Sequence, residues 1–166
     1  MKSLDLPQSS DWIGRAERLI ERLELMLPAP PAKIDWKRAV AWRWRKRGSR
    51  GFLQPVNQPH RIRLQDLRGI DEQKRLVEQN TRQFVLGLPA NNVLLTGARG
   101  TGKSSLVKAA LAEFAGRGLR LIEVDKRDLV DLPDIVDIVA GRKERFIIFC
   151  DDLSFEASDA GYKSLK

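Results

Sequence analysis

The 166 residues are 42% hydrophobic, enough for one modest core, and 30 basic against 22 acidic side chains leave a net charge of +8, which favours polyanionic partners and says nothing about fold. A single cysteine excludes an internal disulfide framework, no apolar stretch approaches a membrane span, and the first residues lack the apolar segment of a secretory signal. The composition points to a cytoplasmic protein without membrane contact.

Residues 10–27 read as an amphipathic helix. Ser10 is placed to cap it, and Trp12, Ala16, Leu19, Ile20, Leu23 and Leu27 recur at steps of three and four while Arg15, Glu17, Arg18, Glu21, Arg22 and Glu24 take the other face. Pro28-Ala29-Pro30-Pro31 stops it and starts a linker. Residues 36–50 then interleave Trp36, Trp42 and Trp44 with Lys37, Arg38, Arg43, Arg45, Lys46, Arg47 and Arg50. Stacking rings mixed with cations suit single-stranded nucleic acid or an anionic surface. The favoured reading has the tryptophans packed on their own domain with arginine stems laid over them. Residues 1–60 are expected to form an N-terminal appendage of helix, proline-rich linker and basic tryptophan-rich segment, and residues 61–166 the nucleotide-binding part. His60, the only histidine, reads as a loop residue.

From residue 61 the pattern alternates. Asp66-Leu67-Arg68-Gly69-Ile70 turns into a helix over 71–85, followed by a strand at 92–96, a helix to about residue 114, a strand at 119–124, a short helix from Pro133 to before Gly141, and a strand at 146–150. Strand, helix, strand, helix, strand is the order of a parallel α/β sheet.

Between the 92–96 strand and the helix, residues 97–104 read Gly-Ala-Arg-Gly-Thr-Gly-Lys-Ser, a full phosphate-loop pattern in its proper context. Gly97 and Gly102 let successive N–H groups turn inward as an anion nest, Gly100 adds freedom, and the helix that follows contributes unpaired N–H groups and a positive dipole end. Lys103 supplies a point charge to the β and γ phosphates, and the Ser104 hydroxyl can sit on a magnesium ion. The apolar run Phe146-Ile147-Ile148-Phe149-Cys150 ends in Asp151-Asp152. Carboxylates there lie at the edge where open α/β sheets bind ligands, so Asp151 is the expected metal ligand and Asp152, with Lys103, the expected catalytic residue, polarising the attacking water. Cys150 reads as a core thiol. A GTPase is disfavoured because its two candidate elements, Asp66-Leu67-Arg68-Gly69 and Asp125-Lys126-Arg127-Asp128, fall in the wrong order around the loop. A small-molecule kinase is disfavoured by the paired acids, and a nucleotide-responsive nucleic-acid-binding module stays as the alternative function.

With these elements in place, the chain from about Trp36 to Lys166 resembles the AAA-type P-loop ATPases, and within them a bacterial family classed as a domain of unknown function. The resemblance rests on Leu88-Pro89-Ala90-Asn91-Asn92-Val93-Leu94-Leu95, on Gly100 to Lys108, and on Cys150-Asp151-Asp152-Leu153-Ser154-Phe155-Glu156. It implies ATP and Mg²⁺ as ligands, with Gly69 and Ile70 near the base. Gly97, Ala98, Arg99, Gly100, Thr101, Gly102, Lys103, Ser104 and Ser105 would lie on the phosphates, and Ser104 and Asp151 on the metal. It also implies a homo-oligomer in the full-length form and hydrolysis coupled to an unidentified remodelling task. The implied fold is an AAA-type parallel sheet with flanking helices, incomplete at the C-terminal side. Nothing follows Lys166, so the strand that would lie between the 92–96 and 146–150 strands is expected to be missing, their inner edges unpaired, and turnover by this chain alone slow or absent.

Overall fold

The computed structural model describes residues 9–26, 34–48, 50–57 and 62–153. Contacts divide the chain into one unit of residues 1–33 and another of residues 34–166. In the first, α1 (Ser9–Met26) forms where the amphipathic period predicts it, and Trp12, Ile13, Leu19, Ile20 and Leu23 are each more than half exposed. No helix among the described residues is long and apolar enough to cross a membrane.

The second unit contains β1 (Ala41–Arg47), β2 (Arg50–Pro55), α2 (Asp71–Val85), α3 (Lys103–Phe114), β3 (Leu119–Glu123), α4 (Leu132–Val139) and β4 (Arg145–Phe149), with 3-10 turns at Leu64–Asp66, Ala115–Arg117 and Lys126–Asp131. The sheet order is β2-β1-β3-β4, with β1 antiparallel to β2 and parallel to β3, and β3 parallel to β4. The protein is therefore α/β with a mixed, mostly parallel sheet.

Side-chain alternation builds a core on each face. Leu119 and Leu121 of β3 join Ala41, Leu111 and Phe114, with Ile147 and Phe149 of β4 and Phe84 and Val85 of α2 packed around them. Ile122 and the following Val124 point the other way, to Trp42, Trp44, Leu53, Leu129 and Ile135. Helices α2 and α3 thus cover one face, and α4 with its preceding turn covers the other. Gly87 ends α2 in the left-handed region (φ 77°), with its N–H bonded to Phe84 O and that of Leu88 to Gln83 O, so the last carbonyls of the helix are satisfied.

Three expectations change. Residues 36–50 are not an appendage. Two of their tryptophans are 1% and 2% exposed, Trp42 and Trp44 on β1, and Trp36 packs on Trp42 and Phe146 at 4.8 and 5.1 Å between ring centroids. The tryptophans thus pack on their own domain, as the favoured reading has it, two of them buried and Trp36 partly so, and the unit begins at residue 34 rather than 61. Residues 92–96 form no strand: among the described residues they have no ladder partner, and Val93 and Leu94 are 53% and 74% exposed. The Asn80 carboxamide takes a neighbouring strand's place at one residue only, donating to Asn91 O at 2.8 Å and accepting from Asn91 N–H at 2.9 Å. The apolar run of β4 is half-buried rather than fully buried, because its ladder has a neighbour on one side only among the described residues.

One polar clamp ties β1 to the turn before α4. Trp44 Nε1 donates to Asp131 Oδ2 at 3.0 Å, and Lys46 Nζ donates to Asp131 Oδ1 at 3.0 Å. Partial burial pushes the Asp131 carboxyl up, but the hydrogen bonds from Trp44 and Lys46 together hold it below its ordinary value. The hydrogen bond to Asp131 in turn holds Lys46 above its own. The aspartate contribution is therefore present above the ordinary aspartate range and lost as pH falls through the lowered value. The lysine contribution is present below the ordinary lysine range and lost as pH rises through the raised one. Asp131→Ala leaves a buried indole N–H without a partner and should cost about 1–3 kcal/mol. In thermal melts the gap between parent and variant should be flat from about pH 5 to 9 and shrink on both sides. A gap that keeps widening below pH 4 would show that the clamp is not the source.

Candidate phosphate-binding site

Helix α3 is anchored by Leu106, Ala109, Ala110, Leu111 and Phe114, all at most 3% exposed, and the small Ala109 and Ala110 let its backbone approach the sheet closely. That anchor fixes its N-terminus at the carboxyl edge of the parallel strands. The connection before it, residues 97–102, turns on Gly97, Gly100 and Gly102 at φ 139°, 82° and 89°. A Cβ on Gly100 or Gly102 would meet nothing within 4 Å, so these glycines serve conformation rather than space. Gly102 caps α3 from the left-handed region with no side-chain cap bond, which leaves the first N–H groups of the helix for another acceptor. Thr101 Oγ1 donates to Ala98 O at 2.8 Å and closes the loop. Lys103 Nζ lies over it, donating to Gly97 O at 2.9 Å and Ala98 O at 2.8 Å. Arg99 is exposed at its tip, and Ser105 sits half-buried in the first turn of α3.

Across 47 positions of sequence, Ser104 Oγ donates to Asp151 Oδ2 at 2.6 Å. The two expected metal ligands meet. Adjacent oxygens around an octahedral Mg²⁺, bound at roughly 2.0–2.1 Å, are about 3 Å apart, so this hydroxyl and carboxylate fit neighbouring positions on such an ion. No cluster of three or more acidic, histidine or cysteine side chains capable of holding a metal occurs among the described residues. The donor set suits an ion that takes its remaining ligands from phosphates and water, not from an all-protein cage. The other oxygen, Asp151 Oδ1, accepts the Asp152 N–H at 3.1 Å. Asp152 itself is left-handed at φ 53°, the one described non-glycine residue with positive φ, a strain that collects at functional turns.

The neighbouring Cys150 thiol is pushed up to about 11, by burial first and then by the carboxylates of Asp125 and Asp151, so it is no nucleophile at neutral pH. Gly69 (φ 74°) and Ile70 lead into α2, where Lys74 Nζ holds the turn by donating to Leu67 O at 2.7 Å. The Leu64–Asp66 turn and α2 both pack on α3, which brings Gly69 and Ile70 to the same side of the sheet as that helix. A shallow depression of about 270 Å³ beside them is lined by Leu64, Gln65, Asp71, Lys74, Arg75 and Glu78. A second, of about 300 Å³, runs between α2 and residues 91–93. Neither includes a residue of the loop.

In the two elements with the form of GTPase motifs, the first aspartate serves as a local cap. Asp66 Oδ2 accepts from Arg63 N–H at 2.9 Å, and Asp125 Oδ1 accepts from Arg127 N–H at 3.1 Å. The Arg127 guanidinium, bonded to the same carboxylate, holds Asp125 below the ordinary range. Sequence reasoning missed one pair at this edge. Arg43 donates to Glu123 Oε2 through Nε at 3.1 Å and Nη2 at 2.8 Å, and Glu123 lies opposite Phe149, two residues before Asp151, on the face that α3 covers. The signal was there: Glu123 is the only acid in β3.

The fold and site define a class: an α/β protein with a mostly parallel sheet, whose glycine-rich loop and strand-end aspartate converge through a serine hydroxyl at the carboxyl edge. The chain belongs to the family described as Protein of unknown function (DUF815), whose model matches residues 37–166. No curated protein and no solved structure matches it.

The glycine geometry is testable. Gly102→Ala places a β-carbon in the left-handed region and should lower stability by about 1–2 kcal/mol in denaturant titrations, with no clash to relieve. Gly116→Ala, with open space and no positive φ, should be neutral or mildly stabilising.

Proposed function

We propose that this chain binds ATP with Mg²⁺ through residues 97–105 and belongs to a protein that hydrolyses it in the manner of the AAA-type P-loop ATPases that its sequence resembles. The observation that carries the reading is the 2.6 Å contact between Ser104 and Asp151, which joins two separate nucleotide elements at one point. A chance glycine-rich turn gives no reason for a serine at its end to meet a strand-end carboxylate. The loop amides and the N-terminus of α3 cradle the phosphates, and Lys103 exchanges its carbonyl partners for β and γ phosphate oxygens. Ser104 and Asp151 hold the ion, which when bound offsets charge between the β and γ phosphates. Asp152 orients and deprotonates the water, and the turn at Gly69 and Ile70 borders the base. ATP is favoured over GTP because the two elements with the form of GTPase motifs, Asp66-Leu67-Arg68-Gly69 and Asp125-Lys126-Arg127-Asp128, fall in the wrong order around the loop. Assembly with further copies of the chain and a cytoplasmic location are part of this proposal.

Binding of a fluorescent ATP analogue with and without Mg²⁺ tests it. Losing one charge-assisted contact costs about 1.5–3 kcal/mol, so Lys103→Ala should weaken binding roughly 10- to 100-fold. Ser104→Ala should remove most of the Mg²⁺ dependence. Equal affinity in parent and Lys103→Ala would end the assignment. Where turnover is measured, Asp152→Asn should leave binding intact and slow hydrolysis by about 10²–10⁴.

A further inference from the structure

The β1–β2 hairpin carries a cationic face that the nucleotide reading leaves unused. Its register sets Arg47 directly opposite Arg50, Arg45 opposite Phe52 and Arg43 opposite Gln54, so these six side chains share one face. Arg43 is neutralised by Glu123. Among the described residues Arg45 reaches the neutral Gln54 carboxamide at 3.4 Å and feels Asp125 at longer range. Arg47 and Arg50 are exposed and have no ion pair or hydrogen bond among the described residues. Like charges placed directly opposite weaken a hairpin, and the register that buries Trp42, Trp44 and Leu53 holds them opposite one another. Lys46, on the other face, is taken by Asp131. Phe52 is half-buried and belongs to neither core among the described residues, and the register sets it on the arginine face opposite Arg45.

We infer that Arg45, Arg47, Arg50 and Phe52 form a contact surface for single-stranded nucleic acid. Alternate residues on a strand are about 6.6–6.8 Å apart and opposed residues about 5 Å, so three guanidinium groups fall within reach of consecutive phosphates. All three of these cations are arginines, whose planar forks pair with phosphate oxygens in a bidentate way that an ammonium cannot match. The Phe52 ring supplies the stacking plane that sequence-tolerant single-strand binders combine with such charges. An anionic bilayer would ask for a wider apolar insertion than one half-buried ring, and an acidic peptide would leave that ring without a function.

Fluorescence anisotropy with 20-mers of deoxythymidine and of uridine, in the absence of ATP, tests this on the full chain. The parent should bind with a log–log salt slope of about −2, three phosphates at roughly 0.7 each. Arg47→Gln with Arg50→Gln should weaken binding at least about tenfold and make the slope shallower by about 1.4. Arg47→Lys with Arg50→Lys should keep the slope and lose severalfold affinity, which separates fork geometry from folding damage. Phe52→Leu should weaken binding with the slope unchanged. Lys103→Ala should bind like the parent, so this result and failure of the ATP reading are distinguishable. No binding by the parent, equal binding by the glutamine pair, loss in Lys103→Ala, or tighter binding to phosphatidylserine vesicles than to either oligonucleotide would overturn the inference.

Discussion

Everything in the second unit hangs on the alternation of β3. Its odd positions, Leu119 and Leu121, face α2 and α3, while Ile122 and the following Val124 face the tryptophans and α4, and β1 and β4 are its two parallel neighbours. Each such side chain removed from water contributes roughly 1.5–3 kcal/mol. A register slip of one residue would turn both cores inside out at once. That penalty holds α3 against β3 and β4, and it is what brings Ser104 at the start of the helix to Asp151 just past the end of β4.

The loop differs from the elements that hold it. Its residues are exposed, its glycines occupy left-handed conformations, and its lysine is held by its own carbonyls. Left-handed backbone here is stabilised from below, by five side chains of α3 at most 3% exposed, not from within the loop. Rigidity in α3 and openness at the loop are complementary. On the proposed reading, an anion would need the Lys103 side chain to leave its carbonyl partners but no refolding of α3, whose N-terminus would fix where the anion sits. Asp152 extends the same logic to the strand end, where a left-handed turn separates its carboxylate from that of Asp151.

The helices and the site were legible in the sequence because both follow from short-range rules. The 3.6-residue period of α1 and α2, Pro133 at the start of α4, and the Gly-x-x-x-x-Gly-Lys-Ser run each state a local requirement, and each lies where that requirement is met. The sheet was less legible because a ladder is a property of pairs. Residues 92–96 have the apolar run of a strand but no neighbour among the described residues, and an extended chain without a partner is not a strand. In the opposite sense, Trp42-Arg43-Trp44-Arg45 alternates with a period of two, as a half-buried strand should, but charge density drew attention to the arginines and hid the period. The arginines of β1 that read as a nucleic-acid run divide into a neutralised Arg43 and the less paired Arg45 and Arg47, a distinction visible only once Glu123 and Gln54 are across from them.

Charge placement links the two anion-facing regions. β1, β3 and β4 run parallel, so Arg43, Arg45 and Arg47 approach the same carboxyl edge at which Asp151 and the loop lie, and on the face that α3 covers. Two inter-strand steps separate β1 from β4, about 10 Å, close to the Debye length of about 8 Å at physiological ionic strength. Were a polyanion to approach, arginines at that separation would raise its local concentration without contributing much to any contact made inside the loop. Arg43, level with Phe149 in the ladder, differs from the other two, because Glu123 takes both of its bonds and cancels its field at short range. On the proposed reading, that pairing would keep Arg43 from competing with Lys103 for phosphate and leave the long-range attraction to the residues farther along the hairpin.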